Sequence, residues 1–264
     1  MSKVYHFYNR CHLGDNILNL KFFYNISNVL KERNIHMIYY YDTGYRFNTL
    51  TELNCYVNPE VMTLQDIRRL PGGATELWQG NSINGVTNVQ FEEWYHLLYA
   101  HALSVMKIPS DGINTSLWQD EPYLLDIYDR LDDQYKDIDI LVINNIGQSG
   151  QYPDNQPINV LAEKLSKRFN VVVTTPINDT IKCTKGLTIQ QYGAISTHCK
   201  YVIAVISGSM SCCYNSVAMK NVKKWFFFAR DYAPTHPSVD YISITNNNIN
   251  PVIDYFDTIC GHSI

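Results

Sequence analysis

Residues 1–30 contain a short apolar strand, a break at Gly14-Asp15 and then a helix. The strand is predicted over Val4–Tyr8, and the helix follows from apolar residues that recur about every 3.6 positions from Ile17 onward. This order is typical of the βα unit that opens a Rossmann-like domain, in which ligands bind where the strand ends and the helix begins. Asp15 is therefore either the N-cap of the helix or a carboxylate at a ligand-binding edge.

A second predicted strand, Ile35–Tyr41, completes a β-α-β unit, and the same pattern returns later in the chain. The β-branched run Ile140–Ile143 is typical of a strand buried on both faces, and a polar, glycine-containing loop follows it. Further strands are predicted over Val171–Thr175 and Tyr201–Ile206, each separated from the next by a helix. The sequence predicts an α/β protein with mostly parallel sheets. We expect two Rossmann-like domains, residues 1–132 and 133–264, that face a cleft.

Composition excludes several classes of protein. Of the 264 residues, 45% are hydrophobic and 17% charged, which favours a globular fold, and the net charge of -4 provides no basic surface for nucleic acid. The apolar runs are shorter than the roughly 20 residues of a membrane helix, and the first residues lack the features of a signal peptide. The seven cysteines include no CxxC pair, which is typical of reduced thiols. We expect a cytoplasmic protein with no membrane span and no nucleic-acid partner.

The turn after the strand Tyr201–Ile206 is a candidate phosphate site. Glycine permits a sharp turn and close approach of a ligand, and the amides that open a helix suit a phosphate or diphosphate. An ordinary helix cap accounts for the same residues, and the spacing matches neither a Walker A loop nor GxGxxG. The residues are Ser207, Gly208, Ser209 and Met210.

Uncharged polar residues occupy the equivalent position after Ile140–Ile143. Their amides and hydroxyls suit a base, ribose or diphosphate, although ordinary loop chemistry explains them equally well. Together with Thr175, at the end of the next strand, the candidate residues are Asn144, Asn145, Gln148 and Ser149.

Two residue patterns resemble metal sites but are not expected to bind a metal. Asp137 and Asp139 have the spacing of a metal-binding acid pair, but they precede a strand and so lie at the wrong end of a parallel sheet. His96 and His101 are five apart on a predicted helix and do not share a face. We expect no metal site, and the absence of glycine at position 211 excludes a G-x-S-x-G nucleophile elbow.

The order of these features resembles the heptosyltransferase-like family of GT-B glycosyltransferases (glycosyltransferase family 9). Three segments carry the resemblance. Leu13–Leu18 matches the family's Gly-Asp and helix after the first strand. Gly147–Gly150 with Tyr152-Pro153 matches its glycine-containing loop and aromatic-Pro. Ser207–Ser211 is comparable to the part of its Asp-Ser/Thr-Gly-x-x-His motif that follows the Asp, with Ser207-Gly208 matching the Ser/Thr-Gly.

This resemblance implies a nucleotide-sugar donor bound mainly by the second half and a glycan or other hydroxyl acceptor bound mainly by the first. Asp15 matches the family's catalytic base, and Gly14 and Asn16 lie beside it in the implied substrate site. Inverting transfer of this kind needs no metal and no cofactor. His12, just before Asp15, either assists the base or only contributes to packing.

The chain departs from the family pattern at three places. Ile206 stands where the family has an acid, Ser211 stands where it has His, and no lysine precedes Tyr152-Pro153. These departures leave two alternatives open: a nucleotide- or sugar-binding module without catalysis, and another two-Rossmann enzyme such as a sugar-nucleotide epimerase or hydrolase. A purely structural role is the least favoured. The sequence leaves the donor, the acceptor and the oligomeric state open.

Overall fold

The computed structural model describes residues 2–43, 49–77, 82–83, 86–87, 91–145, 155–228, 236–244 and 247–261. The chain divides into two compact units, Met1–Gln119 and Asp120–Ile264. The boundary expected from the sequence falls after residue 132, and the structure assigns the segment 120–132 to the second unit.

The first unit is built on a parallel sheet with the strand order β3-β2-β1-β4. The predicted strand, helix and second strand of the opening β-α-β unit are confirmed. A separate antiparallel pair is formed by β5 and β6. The elements are β1 (Lys3–Asn9), α1 (Leu13–Asn25), α2 (Ser27–Glu32), β2 (Ile35–Tyr41), α3 (Leu50–Asn54), β3 (Met62–Asp66), β4 (Thr75–Glu76), β5 (Ser82–Ile83), β6 (Val86–Thr87) and α4 (Phe91–Val105).

Helix α1 lies between the sheet and α4. Phe23 of α1 contacts Phe7 of β1, with ring centroids 5.3 Å apart. The neighbouring Phe22 stacks on Tyr99 of α4 at 4.2 Å, and the Tyr99 hydroxyl donates to the carbonyl of Leu18 at 2.8 Å. Stacked rings and a buried hydrogen bond therefore hold the middle and later part of α1 against α4.

The second unit is a six-stranded parallel sheet with the order β12-β11-β10-β7-β8-β9. Its central strands β7 and β10 lie in the hydrophobic core. All four residues of β7 are fully buried, as the β-branched run predicted. The elements are α5 (Tyr123–Asp129), β7 (Ile140–Ile143), α6 (Gln156–Leu165), β8 (Val171–Val173), β9 (Lys182–Cys183), α7 (Ile189–Ser196), β10 (Tyr201–Val205), α8 (Ser216–Asn221), β11 (Lys224–Phe228), β12 (Tyr241–Ile244) and α9 (Asn250–Cys260).

The segment after β10 differs from the expectation. The sequence predicts a helix that opens at Ser207, but the structure has a six-residue 3₁₀ helix, Gly208–Cys213, followed by α8. Helix α7 lies directly against it: a Cβ at Gly193 would be 2.7 Å from the Cys212 carbonyl oxygen. Side chains do not tolerate so short a contact, so only glycine lets α7 approach this closely and support the turn.

Two further expectations can be compared with the described residues. None of the seven cysteines, all of which lie in the described ranges, is in a disulfide. Within the described ranges, no helix combines the length and the apolar character required to cross a membrane.

Candidate functional site

Asp15 lies in the first turn of α1, where the positive end of the helix dipole favours a negative charge. The N-cap of α1 is His12, so the alternative that Asp15 is the N-cap is wrong. The side chain of Asp15 is 18% exposed. A carboxylate in this position is sheltered yet still accessible from solvent.

Both oxygens of the Asp15 carboxylate have a neighbour. The hydroxyl of Tyr95, on α4, donates to Oδ1 at 2.9 Å, and Nδ1 of His12 lies 3.7 Å from Oδ2. The interaction with the Asp15 carboxylate raises the pKa of His12 above its usual 6.5, although partial burial of the ring acts in the opposite direction. The Asp15 carboxylate therefore favours the protonated form of His12.

The raised pKa of His12 predicts a pH-dependent contribution to stability. The imidazolium is favoured in the folded state, so its stabilising effect is complete below the unfolded pKa, about 6.5, and is lost as the pH rises through the folded value. We expect the free energy of unfolding of the wild type to exceed that of His12→Gln most at low pH. Urea denaturation of both proteins from about pH 5 to about pH 9 measures this difference.

The matched control for this prediction is Asp15→Asn, which removes the charge that favours the imidazolium. When His12→Gln is made in the Asp15→Asn background, the pH-dependent part of its effect on the free energy of unfolding should disappear. An effect of His12→Gln that is constant across the pH range in the wild-type background would contradict the assignment.

Gly14 and Asn16 surround Asp15 in sequence but are buried. The Asn16 amide donates at 3.0 Å to the carbonyls of Cys11 and of His12, and its Oδ1 accepts from the Tyr39 hydroxyl at 2.9 Å. Asn16 therefore ties the turn before α1 to strand β2. The structure places it beside the candidate base as a support for that turn, and its side chain is directed into the protein.

In the second unit, the predicted residues Asn144 and Thr175 lie at the carboxyl ends of β7 and β8. The Asn144 side-chain amide donates to Asn159 Oδ1 at 2.8 Å and to the Thr175 carbonyl at 3.0 Å. Its Oδ1 accepts from the Thr175 N–H at 2.7 Å and from the Thr174 hydroxyl at 3.2 Å. Two donors and two acceptor sites are the full capacity of the side chain, so Asn144 joins the strand ends and has no bond left for a ligand.

Asn145 and Ser207 differ from Asn144 in this respect. Asn145 Oδ1 and Ser207 Oγ are both buried atoms with no hydrogen-bond partner among the described residues. They come just after the neighbouring strands β7 and β10, in which Ala204 lies opposite Ile143. An unsatisfied buried polar atom costs about 1–3 kcal/mol, so two at one sheet edge call for a functional explanation. This edge can therefore offer hydrogen bonds to a polar ligand.

The remaining predicted residues of the second unit differ from one another in burial. Gly208 and Ser209 are half-buried in the 3₁₀ helix, whereas the Met210 side chain is fully buried in the core and its N–H donates to the Ser207 carbonyl at 3.0 Å. The Met210 side chain is therefore not available to a ligand, and its N–H is engaged within the turn. Gln148 and Ser149 lie outside the described residues.

Asp139, of the Asp137/Asp139 pair, lies at the other end of the sheet, and its carboxylate has partners within the protein. Asp139 precedes β7, accepts from the Asn170 N–H at 2.9 Å and pairs with Lys200 at 2.7 Å. In the part of the chain that the structure describes, no group of three His, Cys, Asp or Glu side chains could hold a metal ion.

Two polar residues of the first unit were missed by the sequence analysis. Tyr95 reaches Asp15 from a helix 80 positions later in the chain. Asn9, at the end of β1, is 1% exposed, accepts from the Cys11 N–H at 2.7 Å and has an amide Nδ2 with no partner in the described ranges. Helical periodicity marks Tyr95 only as a core residue, and a strand-terminal Asn carries no distinctive signal.

Comparison with known proteins supports the architecture. No protein-family model matches the chain, and no curated protein matches its sequence. Among solved structures, E. coli heptosyltransferase WaaC with ADP-2-deoxy-2-fluoro heptose aligns with a TM-score of 0.60 at 7% identity, covering 97% of this chain and 100% of that chain. E. coli heptosyltransferase WaaC with ADP gives 0.58 at 8% identity, with 98% of each chain covered. The predicted fold class is confirmed: the chain has the GT-B-like α/β fold of these heptosyltransferases.

Proposed function

We propose that the chain is a glycosyltransferase that moves a sugar from a nucleotide-sugar donor to a hydroxyl acceptor. The observation that carries this proposal is the pair of buried, unpartnered atoms Asn145 Oδ1 and Ser207 Oγ, which lie at neighbouring strand ends among the described residues of the second unit. Ligands of parallel α/β sheets bind at this edge. The similar structures are of a heptosyltransferase with ADP and with an ADP-sugar analogue, which supports a nucleotide-sugar as the ligand.

Asp15 is the proposed general base. Its carboxylate takes the proton of the acceptor hydroxyl as the acceptor oxygen forms a bond to the anomeric carbon. The bond from that carbon to the diphosphate breaks, and the nucleoside diphosphate leaves with the electron pair. Attack opposite the leaving group inverts the anomeric configuration.

The proposed reaction uses no metal and no cofactor, as the family resemblance implies. The charge of the departing diphosphate is met in this mechanism by backbone N–H groups and hydroxyls of the turn Ser207–Ser209. Ser207 Oγ is suited to this because no protein group in the described ranges engages it.

A nucleotide-binding module without catalysis is the second candidate. It is favoured by Ser211, which stands at the family's His position, is 2% exposed and donates from Oγ to the Gly208 carbonyl at 2.8 Å. This side chain stabilises the turn and brings no charge to it. Turnover by the wild-type protein distinguishes the two candidates.

The first experiment is a thermal-shift screen with UDP, GDP, ADP, CMP and dTDP, followed by a transfer assay with the sugar donors of the nucleotide that binds. A nucleotide at ten times its dissociation constant adds about 1.4 kcal/mol to the free energy of unfolding. Binding of one nucleotide together with transfer to a hydroxyl acceptor supports the glycosyltransferase. Binding without turnover supports the module, and no binding at millimolar concentration contradicts both.

Ser207→Ala tests the proposed nucleotide contact. Because Ser207 Oγ has no partner among the described residues, its removal is expected to change the free energy of unfolding by less than about 0.5 kcal/mol. Loss of one hydrogen bond to a charged diphosphate should weaken nucleotide binding by about 10-fold. Urea denaturation and nucleotide titration measure the two effects.

Ser211→Ala is the matched control in the same 3₁₀ segment. It removes the bond from Ser211 Oγ to the Gly208 carbonyl, so it should lower the free energy of unfolding by about 1 kcal/mol with little effect on nucleotide affinity. Unchanged affinity in Ser207→Ala would remove Ser207 from the site.

A further inference from the structure

We propose that Tyr95 is a positioning residue for the base, an inference that rests on the proposed function of Asp15. The Tyr95 hydroxyl donates to Asp15 Oδ1 at 2.9 Å, and the Tyr95 side chain is 1% exposed. The bond is partly buried and joins α4 to the first turn of α1. A hydrogen bond to a carboxylate is stronger than one between neutral groups.

The Tyr95 hydroxyl is itself held in place by the packing of α4. The Tyr95 ring lies 5.8 Å from the ring of Tyr99, one helical turn later, at an angle of 52°. Tyr99 stacks on Phe22 and donates to the Leu18 carbonyl, both on α1. Helix α4 therefore contacts α1 at the Tyr95–Asp15 hydrogen bond and again one turn later, at Tyr99. These two contacts fix the position of the Tyr95 hydroxyl relative to α1.

This geometry assigns different roles to the two oxygens of Asp15. Oδ1 is bound by Tyr95, whereas Oδ2 faces His12 at 3.7 Å, beyond hydrogen-bond distance. Oδ2 is the oxygen left to take the acceptor proton. The Tyr95 bond also restricts rotation of the carboxylate, and restricting the reacting group to one orientation raises the rate of proton transfer.

Tyr95 could also act only as an anchor between α4 and α1, which is what the Tyr99 hydroxyl does through a backbone carbonyl. The two residues therefore form a matched pair: each loses one buried hydroxyl in a Tyr→Phe substitution and keeps its ring. Only Tyr95→Phe removes a bond to the base.

The experiment compares kcat and KM of wild type, Tyr95→Phe and Tyr99→Phe, each also in the Asp15→Asn background. We expect Tyr95→Phe to lower kcat by about 10-fold or more, with KM within about 2-fold of the wild type. Tyr99→Phe should leave kcat unchanged.

The Asp15→Asn background separates positioning from a structural effect. If Tyr95 acts through the base, Tyr95→Phe has no further effect on kcat once Asp15 is replaced. A kcat for Tyr95→Phe equal to that of the wild type, or an equal loss in both backgrounds, would overturn the inference. Absence of transfer by the wild type would instead overturn the proposed function on which the inference rests.

Discussion

Asp15→Asn is expected to slow sugar transfer by about 10²- to 10⁴-fold, the usual contribution of a positioned general base. Asn has nearly the same shape as Asp, and its Oδ1 can still accept the Tyr95 hydrogen bond, but its amide takes no proton from the acceptor. Nucleotide affinity should stay within about 2-fold, because the proposed donor contacts lie in the second unit. Steady-state release of nucleoside diphosphate and a thermal-shift titration measure the two quantities.

Asp126→Asn is the matched control. Asp126 is exposed in the first turn of α5, so its replacement also removes a carboxylate from a helix N-terminus. It should keep the wild-type rate. An Asp15→Asn protein that retains more than about a tenth of the wild-type rate would show that Asp15 is not the base.

The position of Asp15 was predictable because it depends on local pattern. The strand that becomes β1, the Gly-Asp break and the periodic helix α1 are neighbours in the chain, and β2 begins and ends where the sequence predicts. Its contact with Tyr95 was not predictable. That contact depends on how α4 packs against α1, and no feature close to Tyr95 in the sequence specifies it.

In the second unit, too, the sequence predicted the elements that have a strong local pattern and missed an element that has none. The apolar runs of β7 and β10 identify buried strands from composition alone, whereas the half-exposed four-residue strand β12 has no such signal and was missed. The turn after β10 was predicted as the opening of a helix. Its 3₁₀ geometry coincides with the close approach of Gly193 to Cys212, a contact between segments that single-sequence reasoning does not weigh.

Asn144 and Asn145 are adjacent and chemically identical, so the sequence assigned them the same role. The structure separates them. The Asn144 side chain has four hydrogen bonds within the protein, whereas Asn145 Oδ1 has no partner among the described residues. The difference arises because consecutive residues at the end of a strand point in different directions.

Asn144→Ala is therefore expected to lower the free energy of unfolding by about 3 kcal/mol. The substitution leaves the Thr175 N–H and carbonyl and the Asn159 side chain without their partner, and each unsatisfied buried group costs about 1–3 kcal/mol before the chain relaxes. Urea denaturation measures the loss.

Asn145→Ala makes the same chemical change one residue later. It removes an oxygen that has no partner among the described residues, so stability should change by less than about 0.5 kcal/mol while nucleotide affinity falls. Equal destabilisation by the two variants would contradict the separation of roles. Loss of stability in Asn144→Ala and loss of nucleotide affinity in Asn145→Ala would show that Asn144 stabilises this sheet edge and that Asn145 binds the nucleotide.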